Sequence, residues 1–194
     1  MHWLRAGAPR REFEQFTADS TRQLLRTAYL MTWDLAEAED LVQETLLRVA
    51  RRWPKLRKMD WPAGYARRIL VNLAIDGAGQ RARRVGELTV PASAAVQDQA
   101  DHRAERDLLA VDTQSELLQA LARLPARQRA VIVLRYWEDL PETDVAAILG
   151  CSAGTVKSTA SRGLARLRDV LAASTLSGHI QPRQAHGDTL EETP

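Results

Sequence analysis

Apolar side chains in this chain recur every third or fourth position and nowhere alternate, a pattern that admits helices and leaves no strand to build a sheet. Phe13, Phe16, Leu24, Ala28 and Met31 keep that spacing, and after a break Leu35, Ala38, Leu41, Val42, Leu46, Val49 and Trp53 resume it. Two amphipathic helices are expected there. Asp34 is placed to cap the second, with Glu37 three residues on in a capping-box arrangement, and Pro54 marks its expected end. A third helix is expected from Pro62, burying Tyr65, Ile69 and Leu73, with Gly77 and Gly79 weakening it before the run Gln80 to Arg84.

Residues 86–112 lose the periodicity and carry Asp98, Asp101 and Glu105, which reads as an acidic linker. Leu117, Leu118, Leu121 and Leu124 then form a short helix ended by Pro125, and Val131, Ile132, Leu134 and Tyr136 form another. Val145, Ala146, Ile148 and Leu149 precede Gly150, and Val156, Ala160, Leu164, Leu167 and Leu171 follow it. The expected fold is all-α. Two small helical domains, residues 12–85 and 113–173, are joined by the linker 86–112 and followed by a flexible tail, 174–194. A length of 194 residues fits two small domains, and 45% hydrophobic with 27% charged residues fits a globular protein. The lone Cys151 leaves no partner for an internal disulfide, and the absence of an apolar run of ~18 residues predicts no membrane insertion and a cytoplasmic location.

The formal charge of +2 conceals a segregation along the chain. Residues 1–47 carry 5 basic and 8 acidic side chains, residues 48–84 carry 11 and 2, and residues 85–122 carry 2 and 7. One cationic stretch beside acidic neighbours suits a surface that faces a polyanion, although a solvated charged face has the same composition.

Three constellations carry candidate chemistry. Glu142 to Leu167 reads as helix, turn and helix, with Ala146 small at the crossing, Gly150 suited to a positive φ and Val156 pinning the second helix. Ser152 is the expected N-cap of that second helix. Thr155, Lys157, Ser158, Ser161 and Arg162 give its face short hydrogen-bonding groups and cations, as a helix lying in a major groove needs; an ordinary helical hairpin with a cationic rim is the plainer alternative.

The second constellation is Arg67, Arg68 and Asn72 on the third helix with Arg81, Arg83 and Arg84 after it, near Trp53, Trp61 and Tyr65. Cations that hold phosphates beside aromatics that stack on unpaired bases suit single-stranded DNA, while Trp53 falls on an apolar stripe and is expected in the core. The third is Glu37, Asp40, Gln43 and Glu44 on one face of the second helix. Joined by Asp76 it offers carboxylates for Mg²⁺ and a nucleotide hydrolase, but no Gly-rich loop accompanies it to cradle phosphates. The histidines at 2, 102, 179 and 186 are too scattered for a metal site, and no cofactor is expected.

Ala38 to Val49, AEDLVQETLLRV, followed by Tyr65 to Asp76, YARRILVNLAID, resembles the N-terminal domain of bacterial sigma-70 superfamily factors. Leu121 to Arg168 resembles their C-terminal promoter-reading domain, and the order of the two matches the minimal extracytoplasmic-function group. The resemblance implies a factor without catalytic activity whose partners are core RNA polymerase, promoter DNA and, in regulated members, an anti-sigma factor. It implies that Asp40, Gln43 and Glu44 dock on the polymerase. By the same resemblance Tyr65, Arg67, Arg68, Asn72, Arg81, Arg83 and Arg84 open and capture the minus-ten element, and Ser152 to Arg168 reads the minus-thirty-five element. Tyr65 stands where many members carry Trp, and Thr159 and Ala160 replace the usual bulkier residues. A free-standing helix-turn-helix regulator is the alternative among DNA-binding proteins.

Overall fold

In the computed structural model, which describes residues 7–88 and 116–178, every regular element is helical. Helices α1 (Gly7–Thr32), α2 (Leu35–Leu56) and α3 (Pro62–Leu88) form the N-terminal domain. Helices α4 (Glu116–Ala122), α5 (Ala126–Ile132), α6 (Glu142–Leu149) and α7 (Ala153–Gly178) form the C-terminal one, with a π-helical turn, Val133–Trp137, continuing α5. Most of the expected acidic linker, the four histidines and the end of the tail lie outside the described residues. No helix among the described residues is long and apolar enough to cross a membrane.

The break between α1 and α2 is set locally. Asp34 takes an extended backbone, φ −126° and ψ 122°, and accepts the Glu37 amide at 2.9 Å, as an N-cap should. Glu37 does not complete a capping box, because its carboxylate is taken by Arg81 of α3. Trp33 adopts φ 63°, unusual for a residue with a Cβ, and is held there by its amide on the Tyr29 carbonyl at 2.8 Å and its ring edge on Tyr29.

Three expected boundaries move. Helix α2 runs through Pro54 to Leu56, since Trp53 and Leu56 are both buried and their packing outweighs one missing backbone donor. Helix α3 passes Gly77 and Gly79 unbroken to Leu88, braced by the Arg81 to Glu37 ion pair, and α7 continues past Ser174 to Gly178. The buried face of α3 also differs from the expected one. Ala66, Leu70, Val71 and Ala74 are buried, whereas Tyr65, Ile69 and Leu73 are only half-buried.

That shift has a tertiary cause. Helix α3 packs on α1 and α2 along one side and on α5 and α6 along another, so the two domains meet instead of standing apart. Leu70 and Ala66 join Ala28, Leu30, Val42, Val49 and Trp53 in one core that also takes Leu118, Leu121, Ile132 and Leu167 of the C-terminal domain, and Val71 and Ala74 join Met31, Val131, Leu134, Val145 and Leu149 in a second, so both cores span the two domains. Trp53 is a core residue as expected: its indole donates to the Pro9 carbonyl at 3.0 Å and its ring meets Phe13 edge-on. Arg129 ties the seam. Its guanidinium donates to the carbonyls of Ala122 (2.6 Å), Leu124 (3.1 Å) and Leu121 (3.2 Å) at the end of α4 and to the Met31 carbonyl at the end of α1. Burial, reinforced by the nearby charge of Arg81, pulls the Arg129 pKa down to about 10, so it remains a cation at neutral pH.

Helices α6 and α7 are joined as the sequence requires. Gly150 takes φ 63° and ψ 42°, its amide returning to the Ala146 carbonyl, and the Cys151 amide reaches the same oxygen at 3.0 Å. Further along α7, a Cβ placed on Gly163 would lie 3.1 Å from Ile132 Cγ1, so α5 and α7 touch backbone to side chain at their crossing. Gly150→Ala is expected to lower unfolding stability by about 1–2 kcal/mol through its left-handed backbone, read as an earlier midpoint in urea.

Candidate nucleic-acid interface

The first turn of α7 is fixed by its own side chains. Ser152 Oγ accepts the Thr155 amide at 3.1 Å and lies 2.9 Å from Thr155 Oγ1, closing the turn where backbone donors would otherwise be unsatisfied. Val156 and Ala160 point into the core, which turns Thr155, Lys157, Ser158, Ser161 and Arg162 outward, and all five are exposed. Ser158 Oγ donates back to the Thr155 carbonyl at 3.1 Å, and Arg162 Nε lies over the Ser158 carbonyl at 3.2 Å. Lys157 has no such tie. The result is a rigid helix end with a polar, cationic outer face, suited to base edges and phosphates alike.

The α3 constellation is more divided. Arg68 and Asn72 are exposed and share a stripe with Tyr65 at i, i+3 and i+7 spacing. Tyr65 is half-buried, and its hydroxyl accepts from Arg52 Nη1 at 2.6 Å. Arg83 is exposed, Arg81 is exposed but paired with Glu37, and the side chain of Arg84 lies outside the description. Arg67 is different: it is buried and ion-paired with Glu138 at 2.5 Å. Trp61, exposed at the start of α3, lies with its ring 6.0 Å from the Arg67 guanidinium.

On α2, Asp40 and Gln43 are exposed and Glu44 is half-buried, paired with Arg48 at 2.6 Å. Leu47, exposed one turn further on, adds an apolar element to that face. The carboxylates do not converge on a metal site. Glu37 is taken by Arg81 and Glu44 by Arg48, and no group of three or more His, Cys, Asp or Glu among the described residues is placed to hold an ion.

Two residues in these contacts escape sequence reasoning. Arg52 meets Tyr65 because α2 and α3 run antiparallel around a short connection, which brings together positions roughly equidistant from the turn; that signal was available in the spacing. Glu138 sits 71 residues from Arg67 in an acidic loop whose composition matches any solvated turn, and nothing local marks it.

Residues 18–84 match the family described as sigma-70 region 2, and residues 114–167 match sigma-70, region 4. The RNA polymerase sigma-E factor of Streptomyces avermitilis is 36% identical over 175 residues, covering 89% of this chain and 92% of that one. The ECF RNA polymerase sigma factor SigM of Mycobacterium tuberculosis is 32% identical over 159 residues, covering 82% of this chain and 76% of its own length. Among solved structures, the sigma factor RpoE of Bartonella quintana, in complex with the anti-sigma factor NepR, superposes with a TM-score of 0.66 at 28% identity, covering 84% of this chain and 98% of that chain.

Removing the α7 cap isolates its role. Ser152→Ala is expected to cost about 1 kcal/mol and to speed exchange of the Thr155 amide while Val156 and Ala160 stay packed, as hydrogen exchange by NMR would show.

Proposed function

Since the chain belongs to the sigma-70 family of RNA polymerase sigma factors, we propose that it binds core RNA polymerase, directs it to specific promoters and assists strand opening, with no catalytic group of its own. The observation that carries this reading is the presence, on one chain, of a capped helix-turn-helix with an exposed cationic face and a separate polar and acidic face on α2. The first suits duplex DNA. The second suits a basic protein surface.

In this assignment Asp40, Gln43 and Glu44 dock on polymerase, with Leu47 at the edge of the contact. Tyr65, Arg68, Asn72, Arg81, Arg83 and Arg84 track the opened minus-ten strand, with Arg67 of the same constellation buried behind them against Glu138. Arg52 acts on that strand through Tyr65, whose ring it orients by the hydroxyl. Ser152 positions α7, and Thr155, Lys157, Ser158, Ser161 and Arg162 read the minus-thirty-five element. The protein works in the cytoplasm, where polymerase and promoter DNA are, and an anti-sigma factor is a further partner, by analogy with the Bartonella quintana complex.

The direct test is capture of core polymerase by the tagged chain, followed by sequencing of the promoters retained. A free-standing regulator would instead retain duplex DNA without polymerase. Asp40→Lys with Glu44→Lys places like charges against a basic docking surface, a mismatch worth several kcal/mol, while Val42 and Thr45 keep the core filled. Polymerase capture and transcription are expected to fall together, with helical circular dichroism unchanged; capture at wild-type salt sensitivity would place docking elsewhere. Lys157→Ala and Arg162→Ala are each expected to cost about 1–3 kcal/mol of promoter binding if the side chain reads a base edge, measured on holoenzyme with the retained promoters.

A further inference from the structure

Away from the faces assigned to polymerase and DNA, one cleft combines charge with an exposed ring. It holds about 300 Å³, at the small end of ligand sites, and lies between α1 and the π-helical turn that continues α5. None of the residues lining it belongs to the acidic face of α2, the α3 stripe or the outer face of α7.

The α1 wall is a single stripe. Asp19, Arg22, Gln23 and Arg26 follow one another at helical spacing, so at about 1.5 Å per residue they cover about 10 Å, an acid at one end and cations toward the other. Asp19 is exposed, and its two oxygens accept from Gln15 Nε2 at 2.9 and 3.0 Å, which fixes the carboxylate and still leaves it lone pairs for two further donors. Glu138 also lines the cleft, but its charge is answered by Arg67 at 2.5 Å, with Gln23 Nε2 at 3.2 Å and the Thr27 hydroxyl bonded to the same carboxylate. Arg22 and Arg26 give the cleft its positive end.

Facing α1 is the ring of Trp137, 43% exposed. The backbone holds it out. Val133 and Leu134 at the start of the π-helical turn are buried, and the wider turn carries Tyr136 and Trp137 away from the core. Past the ring, the Glu138 amide returns to the Val133 carbonyl at 3.0 Å and the Leu140 amide to that of Leu134 at 3.1 Å, while Asp139 takes φ 51°, an uncommon backbone for a residue with a Cβ. An aromatic face is thus presented at the edge of a charged cleft by a chain tied down on either side of it.

We propose that this cleft binds a free guanine nucleotide. Trp137 stacks on the base, Asp19 accepts from the ring N1–H and the 2-amino group, and Arg22 and Arg26 take the phosphates. Guanine is the purine that fits, because it presents two adjacent donors to a carboxylate, whereas adenine presents the lone pair of its N1 beside its amino group. The order along α1 agrees, with the base at the acidic end of the stripe and the phosphates at the cationic end. A bound nucleotide touches α1 and the π-helical turn together, so it raises the stability of the free chain by mass action. The inference goes beyond the sigma-factor reading and does not depend on it.

The test is isothermal titration of the full chain with GDP, ADP, guanosine and pyrophosphate, with thermal unfolding alongside. GDP is expected to bind at one site, about tenfold or more tighter than ADP, and to raise the unfolding midpoint. Asp19→Asn should bring GDP down to the affinity of ADP, since an amide cannot accept from both donors of the base. Trp137→Ala should weaken GDP about tenfold through lost stacking. Arg22→Gln with Arg26→Gln should bring GDP down to the affinity of guanosine. Both arginines have interactions within the protein, so if that double variant loses helicity, Asp19→Asn and Trp137→Ala decide the matter, both at exposed positions. No saturable heat with GDP up to about 1 mM would overturn the site. So would equal affinities for GDP and ADP in the wild-type chain, or pyrophosphate binding as tightly as GDP, which would leave only a pair of arginines that attract anions. A chain that fails to capture core polymerase would overturn the sigma-factor reading and leave these titrations as they are.

Discussion

Helix α3 is covered on two sides, and most of the structure follows from that. Its Ala66 and Leu70 face closes the core that α1 and α2 build with α4 and α7, while its Val71 and Ala74 face closes a second core supplied mainly by α5 and α6. A helix with one buried stripe would tolerate the ordinary spacing of three and four between apolar positions. One with two needs small or apolar residues at adjacent positions, which is why the sequence runs Leu70, Val71 and then Ala74. The third side is left for polar work, and Tyr65, Arg68, Asn72 and Asp76 occupy it.

Two arginines cross the seam, and they differ in what answers their charge. Arg129 is surrounded by carbonyls at the end of α4 and one at the end of α1, so its neutralisation comes from backbone dipoles at helix C-termini. Those contacts are mostly within one domain, and only the Met31 carbonyl would be lost on separation. Arg67 is answered by a carboxylate from the other domain. Its one charged partner therefore lies across the interface, with the Trp61 ring beside it from its own domain, whereas Arg129 has a single bond across. One cation is answered mostly within its own domain and the other by a charge across the interface.

Features legible in the sequence were those whose cause lies within a few residues. The Asp34 cap, the left-handed Gly150, the Ser152 cap and the outward face of α7 all formed as read, because capping and turn chemistry are local. The two-domain, all-α composition was legible for the same reason. The buried face of α3 is not legible locally, because part of its burial is decided by α6, more than sixty residues away in sequence. Pro54 reads as a helix end because a missing donor is visible in sequence and the packing of Trp53 and Leu56 is not. Among the site residues, Arg67 stands out by its charge, and charge alone does not report a partner as remote as Glu138.

The contact between Gly163 and Ile132 reaches beyond packing. It lies on the same helix as Lys157 and Arg162, close enough to act as the bearing on which α7 turns. A methyl group there would be relieved most simply by rolling α7 about its axis, and a roll of even ten degrees or so sweeps a long cationic side chain by an ångström or more, enough to misalign a two-bond contact with a base edge. Under the proposed reading, the side of α7 that faces α5 thus governs the angle at which its outer side meets DNA. In that reading, sequence preference becomes in part a mechanical property, set by the azimuth of α7 as well as by the identities of the residues it presents.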